Sequence, residues 1–319
     1  MPFRGPEDCE RQPAARFVPY WEVGSFPGKS VAPRLQNTYL LLVKNGNGAL
    51  QFRHLIYGAQ RPAVLDRFYA VALGVGSLLS FEEASLPTER MGAGLFHTAF
   101  LFPSRRDLAV ALLRLDALGV PIEGASDHEV SEAIYLSDPE GNGIEIYADR
   151  PEKDWPDDEG QLTMGTYYLD LKDLVAQAPE SALAAARQSG QRRLQSLSGP
   201  GLSESETLAE LNQRADALDE SLSPATPVIG HLHLRALDLA ASEAFWKDRL
   251  GLEVTTRFPG IAAFLSVGGY HHHIGVNRFG PWVPASPGAS GLRRMEIAFE
   301  DGNSVGEGEY ETPEGVAVS

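Results

Sequence analysis

The side chains best suited to chemistry in this sequence are its eight histidines and a set of strand-borne carboxylates, and they fall in clusters. His97 opens the segment HTAFLF, where alternation puts His97, Ala99 and Leu101 on one face of a strand. Glu145 lies in GIEIYA between Ile144 and Ile146, where a carboxylate is costly to bury unless it is paired or bound to a metal. His128 stands in the polar stretch GASDHE and Tyr135 in SEAIYLS, both between those two positions. His231 and His233 alternate in GHLHL, and His271, His272 and His273 run consecutively. Two imidazoles and one carboxylate on one face of a divalent metal hold it without closing its coordination sphere. An imidazole left off the metal titrates near neutrality and can carry protons.

These residues need elements to position them. The stretch from His97 to Tyr147 is the most orderly of the chain. Its first strand ends at Pro103; Ser104 with Asp107 three residues later starts a helix, and Leu108, Leu112 and Leu115 recur at helical spacing until Gly119 stops it. Val120 to Ile122 is a strand fragment, GASDHE reads as a loop, and SEAIYLS and GIEIYA are strands joined by the turn-forming DPEGNG. The unit is β-α-β-β-β. An echo lies elsewhere: His54 and His231, Phe68 and Phe245, and Gly74 and Gly251 share one offset of 177 residues, the mark of an internal duplication. Four modules are expected, paired in two halves, starting near Phe52, Leu95, Ile229 and Leu292.

A β-α-β-β-β unit with a His on its first strand and DPEGNGIEIY at its end resembles the vicinal oxygen chelate superfamily, which includes glyoxalases, bleomycin-resistance proteins and extradiol dioxygenases. Together, HTAFLFPSR, GASDHEVSEAIYLSDPEGNGIEIYADRP and GGYHHHIGVN are similar to the two-domain catechol 2,3-dioxygenase-like group. The resemblance covers His54 to Trp155 and Val228 to about Phe299. It implies an α+β fold of paired βαβββ modules forming half-open barrels in two domains. The first module is short of strands, and the fourth has no room for its helix and remaining strands after GLRRMEIAFED. The domains expected are an irregular leader over 1–35, an N-terminal domain over 36–155 with the metal site, a polar, partly helical insertion over 156–227, and a truncated C-terminal domain over 228–319. Within the insertion, Leu208, Leu211, Ala215 and Leu218 form a stripe on a helix starting near Ser203, and QSGQRRLQSLSGPG is a flexible break. A weak hairpin signal surrounds Asn45-Gly46.

Carried over residue by residue, the resemblance makes His54, His97 and Glu145 the metal ligands, His128 the general acid or base, and Tyr135 the group that hydrogen-bonds the substrate oxygen. The metal implied is Fe(II), with Mn(II), Zn(II) or Ni(II) as alternatives. The activity implied is extradiol cleavage of a small catechol-like aromatic substrate by dioxygen; the alternatives are a glyoxalase-like lyase or isomerase and a catalytically inactive small-molecule-binding protein. His231, His233 and His271 to His273, with Glu296 as carboxylate, could make a second metal site, but a fixed structural motif is favoured because the fourth module opens with Arg293 and Arg294 and no His.

Composition narrows the classes. With 43 Asp and Glu against 27 Lys and Arg, a formal net charge of −16 repels nucleic acid and anionic membranes. Cys9 is the only cysteine, so neither an intrachain disulfide nor a multi-Cys zinc site is available. A reducing, cytoplasmic setting fits this, and no signal peptide or membrane-spanning apolar run is evident. No P-loop or GxSxG elbow is present, and Cys9 beside Glu10 is a poor nucleophile. A homo-oligomer that completes the shortened modules between chains is compatible with the pattern.

Overall fold

The structure is a computed structural model that describes residues 50–159, 161–189, 203–299 and 309–319. All of them belong to one compact unit, Leu40–Ser319. The leader with Cys9, the hairpin around Asn45-Gly46 and the break over 190–201 lie outside the described residues.

The first module consists of β1 (Leu50–Ala59), α1 (Pro62–Ala72) and β2 (Leu79–Glu83). The second is complete, with β3 (Gly94–Leu101), α2 (Arg105–Leu118), β4 (Gly124–Asp127), β5 (Ser131–Ser137) and β6 (Gly143–Asp149). The intervening segment carries β7 (Asp157–Asp158), β8 (Gln161–Leu162), β9 (Tyr167–Tyr168), α3 (Leu171–Val175), α4 (Glu180–Ser189) and α5 (Glu204–Asp216). The third module is complete too, with β10 (Val228–Arg235), α6 (Leu239–Leu250), β11 (Glu253–Phe258), β12 (Ala262–Ser266) and β13 (Ile274–Asn277). The fourth reduces, among the described residues, to β14 (Gly291–Phe299), β15 (Tyr310–Glu311) and β16 (Ala317–Val318). The fold is α+β, built of paired modules in two curled half-barrel sheets, and the first and fourth modules are the short ones.

The helices start and stop where side chains satisfy their free ends. Ser104 caps α2 by accepting from the Asp107 amide at 3.2 Å, and Gly119 ends it in the left-handed region at φ 69°. Leu108, Leu112 and Leu115 are fully buried beneath it, each worth about 1.5–3 kcal/mol of transfer free energy. Ser203 and Glu206 form a capping box on α5, as the stripe reading required, but the buried face is Thr207, Leu211 and Arg214, with Leu208 and Ala215 at its margin. That face packs on α1, where Arg67 donates to Asn212 Oδ1 at 2.6 Å, so α5 is bound within the chain. GASD, expected as a loop, is the strand β4: its polar residues pair antiparallel with β5 on one edge and with β9 on the other, which exempts them from apolar alternation.

Module pairing departs from the sequential halves. The nine-stranded sheet runs β11-β12-β13-β10-β3-β6-β5-β4-β9, so the second module joins the third through an antiparallel β3–β10 seam. The five-stranded sheet runs β15-β16-β14-β1-β2, joining the first module to the fourth. The two complete modules thereby cover each other's seam strand, leaving Ala99, Phe100, Leu232 and Leu234 without exposure, and the two short modules share the remaining sheet. The sheets meet back to back: the Tyr57 hydroxyl of β1 hydrogen-bonds Thr98 Oγ1 on β3, and Tyr69 packs between Phe81 and Phe100. Among the described residues, no helix is long and apolar enough to cross a membrane.

Candidate metal centre

Alternation along the two seam strands decides which side chains share the concave face of the large sheet. On β3 these are His97, Ala99 and Leu101, with Ala99 and Leu101 in one apolar cluster with Ala133 and Tyr147. On β10 they are His231 and His233, and on β6, which runs parallel to β3, Glu145 and Tyr147. His97, Glu145 and His231 converge, each offering one ligand atom, all within 4.8 Å of one another. Glu145 Oε2 lies 3.0 Å from His97 Nε2 and 3.4 Å from His231 Nε2, and the three residues are 6%, 3% and 2% exposed respectively.

Of the three residues expected as ligands, the structure brings two together. His97 and Glu145 meet as expected, but His54 does not join them. On β1, Leu55 and Tyr57 face the core shared with β3, so His54 lies on the opposite face, where its Nε2 hydrogen-bonds Ser80 Oγ at 2.9 Å. The residue in its place is His231, its counterpart in the internal duplication. The signal was in the sequence, in the shared offset; what pattern alone lacked was the identity of the module that pairs with the second. Glu296 lies across the β1–β14 pair from His54, in the other sheet from His231.

Electrostatics at the three-residue cluster fit metal ligation. Burial opposes ionisation of Glu145, yet the adjoining His231 and His97 hold its carboxyl well below the usual range, so it is an anion. Burial pulls His231 down to about 4 despite the Glu145 charge, which keeps its imidazole neutral, the form that ligates. Although near Glu145, His97 Nε2 makes no properly directed hydrogen bond, and it is buried. A buried imidazole nitrogen without a hydrogen-bond partner, aimed beside a carboxylate and a second imidazole, is the donor set of a two-His, one-carboxylate metal site.

Around this cluster the run from His271 to His273 is held by hydrogen bonds and ring packing, while His233 packs against His97 with its Nε2 unpartnered. Below His231, His272 packs with ring centroids 4.1 Å apart, and His271 bridges His272 Nδ1 at 2.8 Å and Asp149 Oδ1 at 2.9 Å. Tyr270 donates to Asp149 at 3.0 Å and hydrogen-bonds Tyr147, while His273 is held by Ser266 at 2.7 Å. The run from His271 to His273 is thus a packed framework, as favoured from sequence. Two glycines make room for Tyr147 and His233: a Cβ on Gly230 would fall 1.9 Å from the Tyr147 hydroxyl, and one on Gly275 would lie 2.8 Å from the His233 ring.

His128 and Tyr135 stand on the open side. The turn between β4 and β5, with Glu129 at φ 69°, presents His128, whose Nε2 lies 2.7 Å from the Tyr135 hydroxyl. Tyr135 is opposite Glu145 in the β5–β6 pair, and its ring centroid is 5.7 Å from that of His97. Burial, then the Glu145 charge, raises its phenol well above the ordinary value, so it remains protonated. His128 Nδ1 lies 2.9 Å from the Gly165 carbonyl, which can only accept; Nδ1 therefore carries the hydrogen, and Nε2 of the neutral ring is an acceptor. A cavity of about 480 Å³ opens here, lined by His97, His128, Tyr135, Glu123, Arg90 and Arg235 among others.

The hairpin that delivers Glu145 is braced from below. Asp138 is buried and accepts from the amides of Glu140 at 2.8 Å and Asn142 at 3.0 Å and from the Asn142 side chain at 2.8 Å. Glu140 in turn accepts from the Gln60 and Arg61 amides ahead of α1, at 3.0 and 2.7 Å. Glu132 on β5 is buried against Arg105 and Arg150.

The family model of the Glyoxalase/Bleomycin resistance protein/Dioxygenase superfamily matches residues 37–146. A catechol-2,3-dioxygenase of Bacillus subtilis is 38% identical over 260 residues, 79% of this chain and 78% of that protein. Among solved structures, one from the same species aligns over 85% of this chain and 84% of its own at 14% identity and a TM-score of 0.48. Glyoxalase I from Zea mays aligns over 86% and 92% at 12% identity and a TM-score of 0.42. With a relative so similar along most of both chains, this chain belongs to the glyoxalase, bleomycin resistance protein and dioxygenase superfamily, that is, the vicinal oxygen chelate superfamily, in its two-domain catechol-2,3-dioxygenase-like group.

Proposed function

We propose that the chain is an Fe(II)-dependent extradiol dioxygenase that opens the ring of a small catechol-like substrate, with His97, His231 and Glu145 holding the metal. The observation that carries this reading is the meeting of two imidazoles and one carboxylate beside a cavity that also presents His128 and Tyr135. Similarity to a catechol-2,3-dioxygenase supports the reaction class. A divalent iron bound by these residues supplies the redox and Lewis-acid chemistry that combines dioxygen with an electron-rich diol.

The chain's own residues do the rest. Buried, neutral His231 and the ionised Glu145 offer ligand atoms without a proton to expel, and the His272 ring, tied to Asp149 through His271, packs against that of His231. His128 Nε2, the acceptor pinned by Gly165 at the other end of the ring, takes a proton from a substrate hydroxyl as the diol docks and holds it for return to the product. Tyr135, protonated throughout, donates a hydrogen bond to a substrate oxygen in place of its contact with His128. Ala99, Leu101 and Ala133 form an apolar floor on the strands that carry His97 and Tyr135.

The test is anaerobic loading with Fe(II) followed by oxygen uptake and the appearance of a yellow ring-fission product across a panel of catechols. Turnover with one oxygen consumed per ring opened is expected. Full occupancy by zinc, nickel or manganese as purified, with no oxygen uptake after iron loading, would contradict the oxygenase reading and leave a redox-neutral lyase or isomerase.

A further inference from the structure

Four residues beyond His231 on β10, Arg235 brings a cation to the cavity that His97, His128 and Tyr135 line. Arg235, His233 and His231 alternate onto one face of that strand, which puts the Arg235 backbone about 13 Å from His231 at a rise of ~3.3 Å per residue. His233 packs between them on that face, so a catechol ring seated over it leaves room for a short substituent that reaches the guanidinium.

Arg235 lacks an acid of its own. Among the described residues, no carboxylate lies within ion-pair distance of it, whereas Arg105, Arg150, Arg257, Arg293 and Arg294 each have one. Its Nη1 donates to the Arg90 carbonyl at 2.6 Å, its carbon lies 5.9 Å from the centre of the Trp282 ring, and its Nε is buried with no hydrogen-bond partner. Burial pulls its pKa down to about 10, so the charge persists at neutral pH. Its scaffold is stiff: Trp282 is itself anchored by Nε1 on the Asn277 carbonyl at 3.1 Å. In a chain of net charge −16, an arginine held by a carbonyl and an indole face, with no counterion, is a cation set aside for a ligand.

The rest of the lining fixes which way an anion would lie. Arg90 lines the same cavity, while the one carboxylate beside it in that lining, Glu123, sits by the strands that carry Tyr135. A substrate with an acidic substituent is drawn toward Arg235 and away from Glu123, so one orientation wins. Arg235 also borders a second cavity of about 450 Å³, but that one is lined by Glu89, Glu311 and Glu314, which disfavour an anion there.

Resting on the catechol-cleaving reading above, we infer that Arg235 is a specificity-determining residue that binds a carboxylate carried by the aromatic substrate, so the preferred substrates are catechols bearing a short acidic side chain. The test compares dihydroxyphenylacetate with its methyl ester, which differ in charge at nearly constant shape, by anaerobic calorimetric titration of the iron-loaded protein and by kcat/KM. The acid is expected to bind tighter and to be favoured in kcat/KM by about 30-fold, the low end for an ion pair that is only partly desolvated. Arg235→Gln should collapse that ratio toward one, and Arg235→Lys should retain part of it. Equal affinity of acid and ester for the unaltered protein overturns the inference without any variant having to fold. So does inorganic phosphate displacing the acid with the acid's own affinity, since the site would then hold any anion. If no catechol is turned over but the acid still binds tighter than its ester in an Arg235-dependent way, the reaction reading fails while the carboxylate site stands.

Discussion

At the β3–β10 seam, His97 and His231 share one face of two largely buried strands, His231 opposite Ala99 in the register, and β6 lies alongside with Glu145. At the β1–β14 seam the same antiparallel arrangement puts His54 opposite Glu296, half-buried, with Ser80 occupying the imidazole. Both seams join the first strands of two modules, yet among the described residues only one gathers two imidazoles and a carboxylate that could hold a metal. The difference lies in the strands behind the seam: the large sheet has two complete modules, and the small one has β2 on one side and only two-residue strands on the other. A metal centre of this design needs the last strand of an intact module to bring the acid, and a first strand on the partner to bring the second imidazole.

Substitutions at each level should break or sharpen this contrast. The largest effect is expected at Glu145: Glu145→Ala leaves two imidazoles and no carboxylate, and metal content after dialysis and kcat should both fall by more than about 100-fold, beyond what loss of an outer partner costs. Retention of metal would mean that the seam alone suffices. On the open side, His128→Asn should lower kcat by about 100-fold and Tyr135→Phe by about 10-fold with metal content unchanged, measured by stopped-flow turnover beside metal analysis. Asp138→Ala removes the acceptor for two amides and a side chain in the turn before Glu145, and thermal or urea melts should show a loss of about 2–3 kcal/mol. The smallest effect belongs to the other seam, where metal content and turnover should be indifferent to His54→Ala.

Much of this was legible in the sequence. The second module could be read nearly strand by strand, because Ser104, Asp107, Gly119 and DPEGNG are local signals that act through backbone caps and turns independent of distant contacts. His97 and Glu145 came with it, as did His128 and Tyr135, which now adjoin each other. β4 was missed because an inner strand paired on both edges can be polar when its faces are only half-buried. His54 was chosen over His231 for a different reason: the duplication makes them equivalent in sequence, and only long-range pairing separates them. Periodicity reports which face a residue takes on its own strand, and carries nothing about which strand lies next to it. The solitary state of Arg235 was invisible for the same reason, since having no counterion is a property of the whole surrounding fold.

The choice between His231 and His54 carries the account, and one measurement separates them: iron bound per chain, by elemental analysis after anaerobic loading and desalting, for the unaltered protein, His231→Ala and His54→Ala side by side. Close to one iron is expected in the unaltered protein and in His54→Ala, and near none in folded His231→Ala. Iron retained in His231→Ala and lost in His54→Ala would contradict it.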